Sequence, residues 1–242
     1  MWLIPSYNRP EMLRRLLNSI AEVEPSTGPI VVKYDPKDTA TADLLLQEGG
    51  GRWSLWDTPN VGCSLALQWA YHLWPAEPFY GFIGDDTEIT SESFFPLMEE
   101  AAGPNRIAVP NDLCWPGAKV PEITPLPRHC CIGGELVRAW GFWAVPGLYH
   151  CFCDVFWHRF MKEFPSSWKG VPGAVLRHYH HLDAPVYPAD RRTKELFPRD
   201  STHELGETYM EYDKRIIDKW FDNHWPIMQA RLAAYKGWEE KL

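Results

Sequence analysis

Asp85 and Asp86 stand side by side at the end of the apolar run Phe79-Tyr80-Gly81-Phe82-Ile83-Gly84, with a third carboxylate, Glu88, just beyond. Hard oxygen ligands of this kind suit Mg²⁺ or Mn²⁺, held by one or two carboxylates and completed by substrate phosphates. The same pair could instead start a turn and cap the next helix. Late in the chain come His178, His180 and His181, then the basic, proline-broken stretch holding Arg191, Arg192 and Lys194. If the preceding strand continues, His178 and His180 face one way and His181 the other. His129-Cys130-Cys131 and His150-Cys151-x-Cys153 contain zinc-type ligands, but the six cysteines lack CxxC spacing. Vicinal and alternate cysteines are expected to line buried strands instead.

The elements that must position these residues alternate. A continuous apolar run too short for a helix, such as Phe79–Ile83, reads as a strand buried on both faces of a parallel sheet. Ligands of open α/β sheets bind beyond the carboxyl ends of such strands, where the acids fall. Ahead of it, Trp2-Leu3-Ile4-Pro5 predicts a first strand and Ser6 to Pro10 its turn. Pro10 then opens a helix with Met12, Leu13, Leu16, Leu17 and Ile20 on one face. Ile30 to Tyr34 predicts a strand ending at Asp35-Pro36, Thr39 to Gln47 a helix, and Trp53 to Trp56 a strand. Asn60-Val61-Gly62 leads into a helix carrying Leu65, Leu67, Trp69, Ala70 and Leu73.

Beyond Asp86, a helix over Ser91–Ala102 and a strand over Ile107–Val109 follow. Asn111 to Pro127 has the texture of a substrate-side loop. Cys130 to Ile132 predicts a strand with Gly133-Gly134 as its turn, and Glu135 to Trp143 a short helix with its connection. Asp154 to Phe164 predicts a helix with a carboxylate at its positive end. Val171 to His178 predicts the last strand. From Glu204, helical spacing of Leu205, Tyr209, Tyr212, Ile216 and Trp220 predicts an amphipathic helix, which Pro226 should kink or divide. Regular βαβ alternation argues for an α/β fold with a mostly parallel sheet.

With 242 residues, one sizeable core and one domain are expected. A net charge of −8 argues against a surface built mainly for nucleic acid, though a local basic groove is compatible with it. No apolar run approaches the ~18 residues needed to span a bilayer. Trp2–Pro5 is too short for a signal peptide, so a cytoplasmic protein with reduced thiols is expected. The thirteen tryptophans are unusual, and most are assigned to the core.

Together these pieces resemble a GT-A glycosyltransferase of the inverting family-2 type, over roughly Met1 to Lys194. Pro5, Tyr7, Asn8 and Arg9 resemble the opening strand and turn that contact the nucleotide in that family. Asp35 matches its acidic base- or ribose-binding residue, and Asn60-x-Gly62 its Asn-x-Gly motif. Gly84-Asp85-Asp86 occupies the place of the DxD motif, with Gly84 replacing the first Asp. Asp86 is therefore assigned to the metal, and Asp85 supports it or meets the sugar. Asp154 matches the catalytic carboxylate, the general base of an inverting transfer. His178 matches the late metal-binding histidine, with His180 as substitute. Arg191, Arg192 and Lys194 would form a further cationic clamp on the diphosphate.

The resemblance thus implies a single GT-A (nucleotide-diphospho-sugar transferase, Rossmann-like) domain over 1–200 and a packed helical extension over 201–242. It implies a Mn²⁺- or Mg²⁺-dependent transfer from a nucleotide-sugar, UDP-linked, to a hydroxyl. A glycan is the favoured acceptor and a hydroxylated DNA base stays open. A sugar nucleotidyltransferase would need a glycine-rich phosphate loop after the first strand, which Ser6 to Pro10 is not. A non-catalytic relative that binds a sugar or a partner is the alternative from another class.

Overall fold

The computed structural model describes residues 1–48, 53–113, 126–179 and 201–234. The strands are β1 (Trp2–Pro5), β2 (Ile30–Tyr34), β3 (Ser54–Asp57), β4 (Phe79–Phe82), β5 (Thr87–Ile89), β6 (Ile107–Asn111), β7 (Cys131–Gly133) and β8 (Trp168–His178). The described helices are α1 (Pro10–Ala21), α2 (Thr39–Glu48), α3 (Cys63–Leu73), α4 (Phe94–Ala102), α5 (Gly134–Trp140), α6 (Cys153–Glu163) and α7 (Ser201–Ala234). The strands form one mostly parallel sheet in the order β3-β2-β1-β4-β7-β6-β8-β5. From β1 the chain runs to β2 on one side and, later, to β4 on the other. The gap beyond the ends of β1 and β4 is thus a topological switch point, the natural crevice of an open α/β sheet.

Strand alternation separates two apolar layers. Trp2, Ile4 and Val32 face α1, α2 and α4, whereas Leu3, Val31, Tyr80 and Phe82 face α3, α5, α6 and α7. Cys130 and Cys131 fall on opposite faces of the sheet by the same period of two. Burial pushes both thiols well above their ordinary pKa. The helix C-terminal to Asp154 and the last helix are joined by side chains. Arg159 lies over the rings of Phe221 and Trp225, at 4.3 and 5.3 Å from their centroids. Trp225 Nε1 donates to the Glu163 carboxylate at 2.9 Å.

Several expectations are corrected. β5 pairs antiparallel with β8, a strand over Thr87–Ile89 where the sequence pattern predicts no element. Three residues carry too little pattern to read as a strand, and it is the pairing with a distant strand that creates this one. β7 runs antiparallel between β4 and β6. Gly133-Gly134 is no turn between separate elements, because β7 passes straight into α5 at Gly134. A Cβ on Gly134 would lie 2.0 Å from the Glu77 carbonyl oxygen, so only glycine lets the chain pass. Pro226 does not divide α7, which runs unbroken through Ala234. Buried Trp225, Met228 and Leu232 anchor the helix on both sides of the proline and outweigh its lost hydrogen bond.

Glycine is also required where β1 meets β4. Trp2 pairs with Gly81, and a Cβ there would sit 2.2 Å from the buried indole. Gly81→Ala is expected to destabilise the protein by about 3 kcal/mol through overpacking. Denaturant unfolding checks this, and a midpoint unchanged from wild type would contradict the packing described.

Candidate active site

The ends of β1 and β4 meet through ion pairing. Ser6 Oγ donates to Asp85 Oδ2 at 2.8 Å, and Arg9 Nη1 donates to Asp85 Oδ1 at 3.1 Å and Asp86 Oδ2 at 3.4 Å. The turn that delivers Arg9 has Asn8 in the left-handed region at φ 56°. Its N–H donates to Asp38 Oδ2 at 2.5 Å, while Asp38 Oδ1 accepts from Thr41 N–H at 3.2 Å and caps α2. Arg9 is thus fixed from the far side of the sheet's edge. Pro5 pairs with Lys33 at the end of β1, and Tyr7 is half-buried in the turn.

The two neighbouring aspartates separate electrically. Burial is the largest influence on Asp85 and raises it to about 6, with the Asp86 charge adding and Arg9 and Ser6 opposing. Burial would raise Asp86 as well, but His178 and then Arg9 outweigh it and hold Asp86 well below the usual carboxylate range. Asp86 is therefore the stronger acid of the two, while Asp85, at about 6, is itself mostly ionised at neutral pH.

His178, at the end of β8, sets its Nε2 3.6 Å from Asp86 Oδ1. The Tyr179 N–H donates to the Asp86 carbonyl at 2.8 Å, which locks the two strand ends in register. His129 stands edge-on to His178, ring centroids 4.6 Å apart, and its Nδ1 accepts from Gly84 N–H at 3.2 Å. This crowding explains Gly84. A Cβ there would lie 2.6 Å from Asp86 Oδ1 and 3.2 Å from His129 Cε1, so an aspartate does not fit without displacing both.

Among the described residues no three His, Cys, Asp or Glu side chains are grouped to hold a metal. Asp86 and His178 would supply two donors, one hard oxygen and one imidazole nitrogen, which stand 3.6 Å apart. They fit Mn²⁺ or Mg²⁺ as a half-site that needs phosphate and water oxygens to complete it.

Asp35, buried after β2, accepts from Lys37 N–H and Asn60 N–H, both at 2.8 Å. Burial pushes its pKa up, but these two bonds and the nearby lysines outweigh it and leave it lowered. Asn60 is thereby tied to β2, and its Oδ1 receives the Gly62 N–H at 3.4 Å. Gly62 itself is at φ +69°, with the Tyr149 carbonyl oxygen 2.6 Å from where a Cβ would lie. Beneath Asp35, burial lowers Lys33 to about 8 against the pull of that carboxylate.

Asp154 lies in the first turn of α6, half-buried, with Oδ1 accepting from Val155 N–H at 2.9 Å. Burial raises its pKa above the usual carboxylate range, opposed by that bond and by the Arg128 charge. The Arg128 charge acts on Asp154, and the next residue, His129, packs its ring edge-on against His178. Two adjacent residues, Arg128 and His129, thus face the carboxylate of α6 and the Asp86–His178 pair respectively.

Of the residues singled out in the sequence, Arg9, Asp85, Asp86 and His178 come together, and Asp35 joins Asn60. His180, Arg191, Arg192 and Lys194 lie outside the described residues. Sequence reasoning missed Ser6 as an Asp85 partner, and Arg128 and His129 as the residues facing Asp154 and His178. A signal for His129 existed: a polar residue directly before a buried apolar strand.

No family model matches the chain, and no curated protein does. Solved structures do. GalNAc-T7, crystallised with UDP, GalNAc and Mn²⁺, superposes with a TM-score of 0.56 at 12% identity, over 73% of this chain and 42% of that one. The 1–349 fragment of S. aureus TarS in complex with UDP gives 0.56 at 14% identity, over 92% of this chain and 72% of that one. The chain thus spans less than half the length of GalNAc-T7. A single α/β domain with a mostly parallel eight-stranded sheet and a C-terminal helix, superposing on both, has the GT-A fold of glycosyltransferases.

Proposed function

We propose that the protein transfers a sugar from a UDP-linked donor to a hydroxyl acceptor, with inversion and with a divalent cation. The observation that carries this is the approach of Asp86 Oδ1 and His178 Nε2 to 3.6 Å at the switch point of a GT-A sheet. UDP in the GalNAc-T7 and TarS structures, and Mn²⁺ in the former, support the donor and the metal. Asp86 and His178 hold the cation, which when bound neutralises charge on the leaving diphosphate as a Lewis acid. Arg9 and Ser6 orient Asp85 behind Asp86 and keep the pair from repelling apart. Pro5, Tyr7, Asn8 and Asn60 line the nucleotide, with Asp35 on the base or ribose. Arg191, Arg192 and Lys194 supply further positive charge to the diphosphate.

Asp154 is the general base. It takes the acceptor hydroxyl proton as the oxygen bonds to the anomeric carbon and the carbon–oxygen bond to the diphosphate breaks. A carboxylate whose pKa is raised by burial is better matched to this task at neutral pH. A glycan hydroxyl is the acceptor we favour, and a net charge of −8 argues against DNA.

Asp35→Ala is expected to weaken UDP binding by about 1–3 kcal/mol, the cost of unmaking charge-assisted hydrogen bonds, with a smaller effect on the rate at saturating donor. Calorimetric titration of the folded variant with UDP and Mn²⁺ tests this. Unchanged affinity would remove Asp35 from the site, and no UDP binding by the wild-type protein would argue against the whole reading.

A further inference from the structure

The last helix carries a buried carboxylate that the reaction does not use. Asp213 of α7 is 0% exposed. Its Oδ1 accepts from Tyr149 N–H at 2.7 Å, and its Oδ2 from His150 N–H at 2.8 Å and Cys151 N–H at 2.7 Å. Three successive backbone donors on one carboxylate form an anion nest turned inward, filled by the protein itself. The next residue, Phe152, has φ 66° and ψ 9°, a left-handed conformation disfavoured for a phenylalanine, and it is the residue from which α6 starts. Asp154 stands two residues further on.

The same loop is gripped from the other side by the first turn of α3. Leu65 N–H donates to the Tyr149 carbonyl at 3.0 Å, Cys63 N–H to His150 Nδ1 at 3.2 Å, and Ser64 Oγ to the Cys151 carbonyl at 3.0 Å. Tyr209 of α7 stacks on Tyr149 with ring centroids 3.9 Å apart. Glycine at position 206 brings α7 close, since a Cβ there would meet His150 Cδ2 at 3.3 Å.

We propose that Asp213 is a positioning residue: by holding three backbone N–H groups of residues 149–151 it fixes the strained entry to α6 and so aims Asp154 at the acceptor. This rests on the reading of Asp154 as the base. A left-handed phenylalanine persists only where its surroundings over-determine it, and Asp213 is the charged part of those surroundings. The same loop also meets Gly62, where a Cβ would lie 2.6 Å from the Tyr149 carbonyl oxygen, before it runs into α6. Asp213 of the C-terminal helix, and not the helix as a whole, is by this account coupled to the catalytic carboxylate.

The test uses the full chain with Asp213→Asn, in which an amide NH₂ replaces one oxygen and at least one of the three donors loses its acceptor. Met228→Ala, a packing variant on the same helix, controls for stability alone. Steady-state kinetics, UDP calorimetry, melting and amide hydrogen exchange are measured well below the melting temperature. For Asp213→Asn we expect kcat to fall about 10–100-fold, as for a reacting group misplaced by ~1 Å, with donor KM and UDP affinity unchanged. Exchange at residues 149–151 and at Val155 should accelerate, while Met228→Ala loses melting temperature and keeps kcat. Wild-type kcat in Asp213→Asn, or a loss matched by Met228→Ala, would overturn the proposal. If Asp213→Asn does not fold, Asp213→Glu, which keeps both oxygens at a shifted depth, is read by the same criteria. A wild-type protein that turns over no nucleotide-sugar would overturn the functional reading instead. Exchange at Val155 would then still decide the positioning, acceleration supporting it and no change overturning it.

Discussion

Asp154→Asn is expected to abolish sugar transfer while leaving the molecule folded and able to bind its donor. Asparagine keeps the shape of the side chain and can still accept the Val155 N–H. It cannot take the acceptor's proton, so the single-turnover rate should fall by about 10²–10⁴-fold. The stability effect has a definite sign. Burial raises the Asp154 pKa in the folded state, so between the unfolded value of ~3.9 and the raised value the native protein binds the extra proton. Stability from this group is therefore fullest at low pH and is lost as pH rises through the folded pKa. At neutral pH the ionised carboxylate is a net cost, and Asp154→Asn should melt at or above the wild-type temperature. In the wild type the rate should climb with pH through that same raised pKa, giving an acidic limb displaced upward from an ordinary aspartate's. A variant that melts normally and transfers at the wild-type rate would move the base elsewhere.

Asp86→Ala should be as severe, with transfer reduced about 10³-fold or more and no rescue by added Mn²⁺. Asp86 is the stronger acid of the pair, because His178 and Arg9 outweigh its burial. Removing it takes away one of the two proposed metal donors and one of the two carboxylates that Arg9 pairs with, at 3.1 and 3.4 Å. Asp85→Asn should be milder, since that side chain faces Ser6 and Arg9. Mn²⁺ titration followed by electron paramagnetic resonance separates the two. Unaltered Mn²⁺ affinity in Asp86→Ala would remove Asp86 from the metal site.

The fold was legible where the signal is local. An apolar run ending in Asp85-Asp86 predicted both the central strand and the place of the crevice, because strand burial and the switch-point rule follow from pattern. Antiparallel β7 was not legible, since a three-residue strand such as Cys131–Gly133 does not say which neighbour it will join or in which direction. Arg9 illustrates a limit of another kind. An arginine in the turn after a first strand does not reveal in sequence that it bonds two carboxylates from a distant strand end, and the bonds to Asp85 and Asp86 add this to its expected place at the nucleotide. Gly84 read as a departure from the motif, and the close approach of Asp86 and His129 supplies its reason. Asp213 was invisible, because an acid among Glu211, Tyr212 and Lys214 on an amphipathic helix looks like solvated surface.

The central claim is that Asp86 and His178 assemble a metal-dependent donor site. The most direct measurement is incubation of the full chain with a panel of nucleotide-sugars, with Mn²⁺ or with excess chelator, scoring release of the nucleoside diphosphate by mass spectrometry. The account predicts release from a UDP-sugar with Mn²⁺ and its loss in chelator and in Asp86→Ala. Release undiminished by chelator, or none from any donor in the presence of Mn²⁺, would contradict it.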